Sequence, residues 1–351
     1  MSPNPDQILI TGAGGWLGRR LVHKIATRDF AVDVLDHLPR SASIRCLVLP
    51  GENTDALRAS GAEVMEGDIR NPQHCMKFCG GAEGAILLHA AGVIHPRRVK
   101  EFYEVNALGT QHVVNAAIAA RMRRAVIVSS NSPMGVNPYP GHLFDESSPY
   151  RPYMNYGRSK MQMELKVREI AGKDRMEAVL VRAPWFYGPG QPQRQTVFFS
   201  MIREGRAPIV GSGNNLRSMA YIDNLCEGLL LAALVEGAEG RTYWIADRRP
   251  YSMNEIVDTV ERLLEQEFNL PVAHKRLRLP NIASGVATEA DRFLQWLGLY
   301  NQKIHVLSEM NKDIACSVAK AEAELGYRPT VELEEGMRRS LAYCLEQGIQ
   351  I

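Results

Sequence analysis

The stretch that decides the fold is ILITGAGGWLG, residues 8–18. Its three apolar residues at 8–10 have the character of a short strand, and the residues after Gly18 have the composition of a helix. Gly12, Gly15 and Gly18 allow a tight turn, close approach of the backbone to a pyrophosphate, and close packing of helix on strand. Because the first turn of a helix presents free N–H groups, this order predicts a dinucleotide-binding site.

Short apolar runs alternate with helix-like stretches through the first half of the chain. The runs lie at residues 8–10, 46–49, 62–65, 85–88, 125–128 and 178–181. This alternation predicts an α/β fold, a doubly wound parallel sheet covered by helices on both faces. We expect a dinucleotide-binding domain at residues 1–184, to which residues 219–248 return. Most of residues 185–351 should form a smaller mixed α/β substrate-binding domain.

The composition limits the classes of partner. Of the 351 residues, 45% are hydrophobic, which is enough for a large core. The 41 basic and 39 acidic side chains leave a net charge of +2, so no overall field attracts nucleic acid or a membrane surface. No apolar run approaches the roughly 20 residues that a bilayer span needs. The expected partner is therefore a small-molecule substrate.

The cysteines and the N-terminal residues indicate a cytoplasmic protein. The six cysteines include no Cys-x-x-Cys pair, so we expect reduced, structural thiols. The first residues are polar and lead directly into the glycine stretch, unlike a secretory signal. No metal site is predicted, and a homodimer is left open.

Several further motifs resemble those of one superfamily. The glycine stretch is followed in order by GDI at 67–69, HAAG at 89–92, NALGT at 106–110, and KA at 320–321 with LGY at 325–327. This order resembles the extended short-chain dehydrogenases/reductases, which have a Rossmann fold and include NAD-dependent epimerases/dehydratases and 3β-hydroxysteroid dehydrogenases. The resemblance implies that NAD or NADP is bound by Gly12, Gly15, Trp16, Leu17, Gly18, Asp68, Ile69, Ala90, Ala91, Gly92, Asn106 and Pro184.

YGRSK at 156–160 stands where this superfamily has its Tyr-x-x-x-Lys motif. The spacing of four places Tyr156 and Lys160 on one face of a helix. An adjacent ammonium group favours the phenolate, so we expect Lys160 to lower the pKa of Tyr156. Tyr156 can then act as general acid or base towards a substrate hydroxyl or carbonyl.

SSNSPMG at 129–135 resembles the stretch that supplies the catalytic serine. The spacing to its final glycine selects Ser130, with Ser129 as a structural neighbour. The 4,6-dehydratases of the superfamily have Asp-Glu next, whereas this chain has Asn131 and Ser132, so dehydration is disfavoured. Met134 replaces the usual tyrosine.

The end of the second strand, which chooses between NAD and NADP, allows two interpretations. The pattern favours a strand at residues 44–49, which ends at Leu49 with neither an acid nor an arginine. A strand at 31–35 would end at Asp36, an acid of the kind that binds the ribose of NAD. The choice between NAD and NADP remains open.

The substrate side resembles that of sugar-nucleotide enzymes in part. Residues 182–190 resemble the loop that passes the nicotinamide, and residues 211–224 resemble a segment that presents an arginine to a diphosphate. The predicted substrate-binding residues are Ser132, Trp185 and Arg217. However, Trp185 stands where several of those enzymes have asparagine, and residues 277–320 contain no second Arg-x-Gly-Asp segment.

The leading hypothesis is hydride transfer to or from a secondary alcohol or ketone, first of all at C4 of a nucleotide sugar, as an oxidoreductase or epimerase. The alternative is a sterol or other apolar alcohol, because residues 279–327 resemble the 3β-hydroxysteroid dehydrogenase relatives. A third hypothesis is a non-catalytic cofactor-sensing protein on the same fold. The presence of all three catalytic residue types disfavours it.

Overall fold

The computed structural model describes residues 6–31, 38–39, 41–171 and 176–351. The strands of these residues are β1 (Gln7–Thr11), β2 (Ser43–Val48), β3 (Glu63–Glu66), β4 (Ile86–His89), β5 (Arg124–Ser130), β6 (Glu177–Ala183), β7 (Trp185–Tyr187), β8 (Pro208–Val210), β9 (Leu216–Arg217), β10 (Met219–Tyr221), β11 (Thr242–Trp244), β12 (Tyr251–Ser252) and β13 (Leu277–Leu279).

The helices of the same residues are α1 (Trp16–Thr27), α2 (Asp55–Ala59), α3 (Pro72–Cys79), α4 (Val99–Glu101), α5 (Thr110–Ala119), α6 (Met154–Ala171), α7 (Gln193–Arg203), α8 (Ile222–Leu234), α9 (Met253–Gln266), α10 (Asn281–Trp296), α11 (Gln302–Glu309), α12 (Ala319–Leu325) and α13 (Leu333–Glu346). A π-helical segment, Phe102–Gly109, joins α4 to α5.

Seven parallel strands form the central sheet in the order β11-β6-β5-β4-β1-β2-β3. The chain starts in the middle at β1, runs outward to β3 and then returns to β4 on the other side of β1. The direction of winding therefore switches between β1 and β4, and ligands of such sheets bind outside the carboxyl strand ends at this switch. The predicted doubly wound fold is confirmed.

The second strand lies at Ser43–Val48 and pairs in parallel with β1. This position confirms the strand that the apolar pattern favoured. In the alternative interpretation, residues 32–36, including Asp36, lie outside the described residues. The observed pairing leads residues 49–53 to the glycine loop, where the Ala13 N–H donates to the Leu47 carbonyl at 3.3 Å.

Alternating side chains of the sheet enter two apolar layers, one on each face. In β1, Ile8 and Ile10 join the layer that contains α1 and α8 residues, whereas Leu9 joins the layer of α3 and α5. All three are at most 1% exposed, as a parallel sheet buried on both faces requires. All six cysteines are buried free thiols.

The second half of the chain packs on the sheet and beside its carboxyl end. β11 pairs with β6 as the outermost strand of the large sheet, and α8 packs against β5 and β6. α10 packs against α11 and against α6, the helix that contains Tyr156. The division into domains at residue 184 stays a prediction. No helix in the described part of the chain has both the length and the apolar content to cross a membrane.

Candidate active site

The glycine loop between β1 and α1 packs against the loop after β4. Gly12 has a φ of +69°, and a Cβ there would lie 2.7 Å from the backbone of Ala91. A Cβ at Gly18 would collide with the Gly12 carbonyl oxygen. Only glycine fits at both positions, which lets the two loops and the helix come together.

The N-terminus of α1 is open in the way that a pyrophosphate needs. Gly15 precedes the helix, is exposed, and would have only the Gly12 carbonyl near an added Cβ. The free N–H groups of the first turn favour a negative charge at this point. Trp16 donates from Nε1 to the Pro189 carbonyl at 2.8 Å, and Leu17 is buried. These residues fit a bound NAD, with Gly15 and the start of α1 at its pyrophosphate.

Two threonines hold the ring of His89 in place at the end of β4. Its Nδ1 lies 2.7 Å from the Thr11 hydroxyl and its Nε2 lies 2.9 Å from the Thr110 hydroxyl. Burial, and secondly the Lys160 ammonium, lower the pKa of His89 to about 3. The ring therefore joins β1 to α5 and positions the predicted cofactor residues 90–92.

Asn106 connects the loop after β4 to the active-site helix. Its side chain accepts from the Val93 N–H at 2.8 Å and donates to the Val93 carbonyl at 3.0 Å and to the Ser159 hydroxyl at 3.2 Å. A Cβ at Gly92 would lie 3.2 Å from the Asn106 oxygen and 3.4 Å from the Lys160 Nζ. Asn106 thus lies close behind the cofactor loop, and its own contact with the cofactor stays a prediction.

Asp68 and Ile69 follow β3 on the far side of β1. The Asp68 carboxylate accepts from the Arg70 backbone N–H and pairs with its guanidinium, which lowers the pKa of Asp68. Ile69 is buried, and its side chain would lie 2.8 Å from a Cβ at Gly109, which explains the glycine of the NALGT motif. A contact of either residue with adenine stays a prediction.

Tyr156, Ser130 and Lys160 come together at the carboxyl end of β5. Ser130 is the last residue of that strand, and its hydroxyl lies near that of Tyr156. Lys160 is buried one helical turn further along α6 and donates from Nζ to the Val128 carbonyl at 3.0 Å. The three side chains predicted to carry the chemistry therefore share one location.

The pKa of Tyr156 differs from the expectation. Burial of its hydroxyl raises this pKa to about 12, and the nearby Ser130 hydroxyl opposes that shift only in part. Burial also lowers the pKa of Lys160 to about 8. Desolvation disfavours both charged forms, the phenolate and the ammonium. The expected lowering of the tyrosine pKa by the lysine is not found; burial and, secondarily, the Glu309 carboxylate raise this pKa.

A buried ion pair that the sequence motifs do not reveal lies under this site. Glu164 of α6 pairs with Arg182 of β6 at 2.8 Å, and both side chains are at most 2% exposed. The carboxylate also accepts from the hydroxyls of Ser129 at 2.6 Å and Tyr150 at 2.7 Å. These contacts tie α6 to the sheet and so position Lys160. The sequence signal for this ion pair is that Glu164 lies one helical turn after Lys160.

Of the predicted substrate residues, Ser132 lies beside the predicted catalytic serine, Ser130. Its N–H donates to the Ser130 Oγ at 3.3 Å, and the two Oγ atoms are 3.4 Å apart. Trp185 follows the buried Pro184 into β7, and its ring packs edge-on against a phenylalanine of α7. Met134 is fully buried in the core, so it forms no part of the substrate wall.

Arg217 lies in β9 with its guanidinium beside α11. Its Nη2 donates to the Glu309 carbonyl at 2.6 Å, whereas its buried Nε has no hydrogen-bond partner among the residues that the structure describes. Burial lowers the pKa of Arg217, although the nearby Glu309 and Asp313 carboxylates oppose this. The guanidinium also lies near Tyr153, three residues before the predicted catalytic tyrosine. A contact of Arg217 with the substrate stays a prediction, and its guanidinium is already partly engaged within the protein.

Glu52 is an acid beside the glycine loop that the sequence motifs do not reveal. Its carboxylate accepts from the Leu49 N–H at 3.0 Å and lies over Gly14, where it leaves no room for a Cβ. An acid at the end of the second strand beside the glycine loop suits the ribose hydroxyls of NAD. Glu52 lies beyond the last strand residue, on the far side of a turn at Gly51, which is why a rule based on the strand end passes over it.

A polar cluster from α10 and α11 also lies beside the site. The His305 Nδ1 is 2.7 Å from the Asp291 carboxylate, and both side chains are buried. The rings of Tyr300 and Tyr156 both pack against the ring of Phe102, with ring centroids 5.2 Å and 5.6 Å from the Phe102 centroid. These residues are far from the motifs in sequence, so only the fold brings them here. In the described part of the chain, no cluster of His, Cys, Asp or Glu suits a metal ion.

Residues 8–246 match the model of the NAD dependent epimerase/dehydratase family. An uncharacterised protein of Sinorhizobium fredii is 50% identical over 98% of this chain and 97% of its own length. A 3beta-hydroxysteroid-dehydrogenase/decarboxylase of Arabidopsis thaliana is 27% identical over 95% of this chain and 78% of its own length. The 4-hydroxy-2-methyl-3-oxo-4-farnesyl-3,4-dihydroquinoline-1-oxide ketoreductase of Stigmatella aurantiaca is 28% identical over 93% of both chains.

Among solved structures, dTDP-glucose 4,6-dehydratase of Streptomyces venezuelae with NAD bound has a TM-score of 0.73 at 22% identity and 97% coverage of both chains. This likeness shows the shared fold, and the family model adds the dependence on NAD. The hypothesis of a non-catalytic sensor is set aside by the same findings. The chain belongs to the NAD-dependent epimerase/dehydratase family of the extended short-chain dehydrogenases/reductases and is an NAD-dependent enzyme.

Proposed function

We propose that the protein transfers hydride between NAD and a secondary alcohol or ketone, with Tyr156 as the general acid or base. The observation that carries this proposal is the convergence of Tyr156, Ser130 and Lys160 at the end of β5, with Lys160 buried one turn after the tyrosine and hydrogen-bonded to the Val128 carbonyl. When bound, NAD supplies or accepts the hydride.

Each of the three side chains has a separate role in this proposal. Ser130 donates a hydrogen bond that holds the reacting oxygen of the substrate. Tyr156, with its pKa near 12, is protonated at neutral pH and gives its proton to that oxygen when a ketone is reduced. Lys160, with its pKa near 8, is mostly charged at neutral pH and stabilises the phenolate that remains.

We further infer that the substrate is an apolar alcohol or ketone. The Arabidopsis and Stigmatella relatives, which span more than nine-tenths of this chain, have a steroid and a farnesylated quinoline in their names. The residues after Ser130 are Asn131 and Ser132, which offer no acid for dehydration. Trp185 presents an aromatic ring where a sugar would need hydrogen-bond partners.

A nucleotide sugar is the second candidate, and Arg217 favours it. The Nε of Arg217 is buried without a partner among the described residues, so it could donate to a diphosphate. Its Nη2 already donates to the Glu309 carbonyl, which leaves only part of the guanidinium for a ligand.

Turnover of Tyr156→Phe tests the reaction, with a panel of sterols, long-chain secondary alcohols and nucleotide sugars as substrates. The variant should lose at least about 100-fold in turnover while its NAD affinity stays unchanged, because only the proton-transfer group is removed. Near-normal turnover would assign the proton to another group.

Arg217→Ala separates the two substrate classes. With an apolar substrate, affinity should stay within about a factor of two, as for a substitution that meets no ligand. A fall of about 10- to 150-fold would identify a bound diphosphate, because a charge-assisted contact of about 1.5 to 3 kcal/mol is lost. Melting curves that match the parent are the control for folding.

A further inference from the structure

Helix α10 has its polar face towards the protein and its apolar face towards solvent. Its buried residues are Ser284, Ala287, Asp291 and Gln295. Its exposed apolar residues, together with the residue after the helix, are Ile282, Val286, Phe293, Trp296 and Leu297, each between 50% and 78% exposed. At 100° per residue, these two sets lie on opposite sides of the helix. We name the exposed set the α10 ridge.

The polar face is held inward by specific hydrogen bonds. Asp291 pairs with His305 at 2.7 Å, and Gln295 accepts from the backbone and side-chain N–H groups of Asn155 at 3.0 and 2.9 Å. Asn155 is the neighbour of Tyr156 in the chain. A rotation of α10 that buried the ridge would break these hydrogen bonds and leave the buried His305 without its Asp291 partner, which opposes the rotation. The outward direction of the ridge is therefore built into the fold.

The ridge is apolar at its C-terminal end, beyond the exposed Glu289–Arg292 ion pair that separates this end from Val286. Phe293 and Trp296 stack with their ring centroids 6.0 Å apart, and Trp296 is 78% exposed. Leu299, 48% exposed, continues the surface beyond Leu297. Exposed apolar surfaces of this kind mark sites where a protein meets another apolar surface.

Three cations border the end of the ridge. Arg98 forms a backbone bridge with Leu299, the Arg97 carbonyl accepts from the Tyr300 N–H, and Lys303 lies in the first turn of α11. All three side chains are exposed, and none has an ion-pair partner within residues 6–31, 38–39, 41–171 and 176–351. An apolar ridge with an exposed tryptophan and unpaired cations at its border matches the boundary between acyl chains and anionic headgroups.

We propose that the α10 ridge docks on the surface of a lipid bilayer that contains anionic headgroups, with Phe293 and Trp296 inserted and Arg97, Arg98 and Lys303 at the headgroups. The ridge lies on the outer side of α10, and the inner side of α10 contacts Asn155, the residue before Tyr156. Docking would therefore bring the substrate side of the enzyme to the membrane. The proposal does not depend on the proposed reaction.

The charges favour a bilayer over a second copy of this chain. A two-fold contact through the ridge would offer the cations of one copy only the ridge acid Glu289 of the other, which already pairs with Arg292. Cations covered without a partner oppose association. An anionic bilayer instead neutralises them. The net charge of the whole chain predicts no membrane partner. However, a net charge does not show how the charges are distributed over one face of the protein.

Co-sedimentation of the full-length protein with vesicles tests the proposal. Vesicles of phosphatidylglycerol and phosphatidylethanolamine should bind the protein, with binding that weakens as salt rises, and vesicles of phosphatidylcholine should bind it far less. The double variant Phe293→Glu/Trp296→Glu should need at least about tenfold more anionic lipid for half-binding. Met76→Glu is the matched control, because Met76 is 51% exposed on α3, outside the ridge, and should bind as the parent does.

The contribution of the cations is measured separately with Arg97→Gln/Arg98→Gln. This variant should lose about fivefold in lipid affinity for each charge removed, at about 1 kcal/mol per cation. Melting curves and NAD titration, which need no turnover, establish that every variant is folded. Equal sedimentation of the parent and the Phe293→Glu/Trp296→Glu variant, or no sedimentation of the parent, would overturn the proposal. A ridge-dependent dimer in solution that does not bind vesicles would overturn it in favour of a second copy.

Discussion

Helices α9 and α10 are successive helices of the chain, and both have apolar residues at helical spacing, yet they face opposite ways. In α9, Ile256, Val260 and Leu263 are completely buried. In α10, Phe293 and Trp296 face solvent while an aspartate and a glutamine are buried. The difference shows that apolar periodicity predicts a helix, whereas the partners available to its polar residues decide which face turns inward.

The two helices should differ in how much the free energy of unfolding falls when a large apolar side chain is removed. Leu263→Ala in α9 should lower the free energy of unfolding by about 2 to 5 kcal/mol, because it leaves a cavity in the core. Phe293→Ala in α10 removes more atoms but should change it by no more than about 0.5 kcal/mol. Urea unfolding of both variants measures the two values. A loss of several kcal/mol for Phe293→Ala would mean that the ridge is buried in the folded protein.

Glu52 extends the comparison to the glycine loop. We predict that this acid, which follows the end of β2, binds the ribose of NAD in place of an acid at the strand end. Glu52→Gln should weaken NAD binding at least about tenfold, because a charge-assisted hydrogen bond to the ribose is worth about 1.5 to 3 kcal/mol. Asp55→Asn, a similar change of an exposed acid on α2, should leave the affinity unchanged. Calorimetric titration with NAD measures both. Equal affinities for the two variants would remove Glu52 from the site.

The polar face of α10 should give a pH-dependent contribution to stability. Burial tends to lower the pKa of His305, but the hydrogen bond with Asp291 and the Glu309 carboxylate raise it overall. A raised pKa in the folded state stabilises the protein fully below the unfolded value of about 6.5, and this stabilisation is lost as pH rises through the folded pKa. Asp291→Asn should therefore lower the free energy of unfolding by about 1 kcal/mol more at about pH 5.5 than at about pH 9. Equal losses at both values would contradict a charged His305.

The sequence predicts those features that depend on neighbours along the chain. The glycine loop, the order of strands and helices, and the pairing of Tyr156 with Lys160 follow from local spacing. Glu164 and Glu52 depend on contacts that only the folded chain makes. The raised pKa of Tyr156 also depends on the folded chain, because burial is a property of the whole site.

Isotope transfer from substrate to cofactor tests the central claim, hydride transfer between NAD and a secondary alcohol, most directly. The alcohol that gives the fastest turnover is prepared with deuterium on its carbinol carbon and incubated with the enzyme and NAD. The reduced nicotinamide should then contain one deuterium, and Tyr156→Phe should form at least about 100-fold less of it. Product that forms while the deuterium is lost to solvent, with none on the nicotinamide, would contradict hydride transfer.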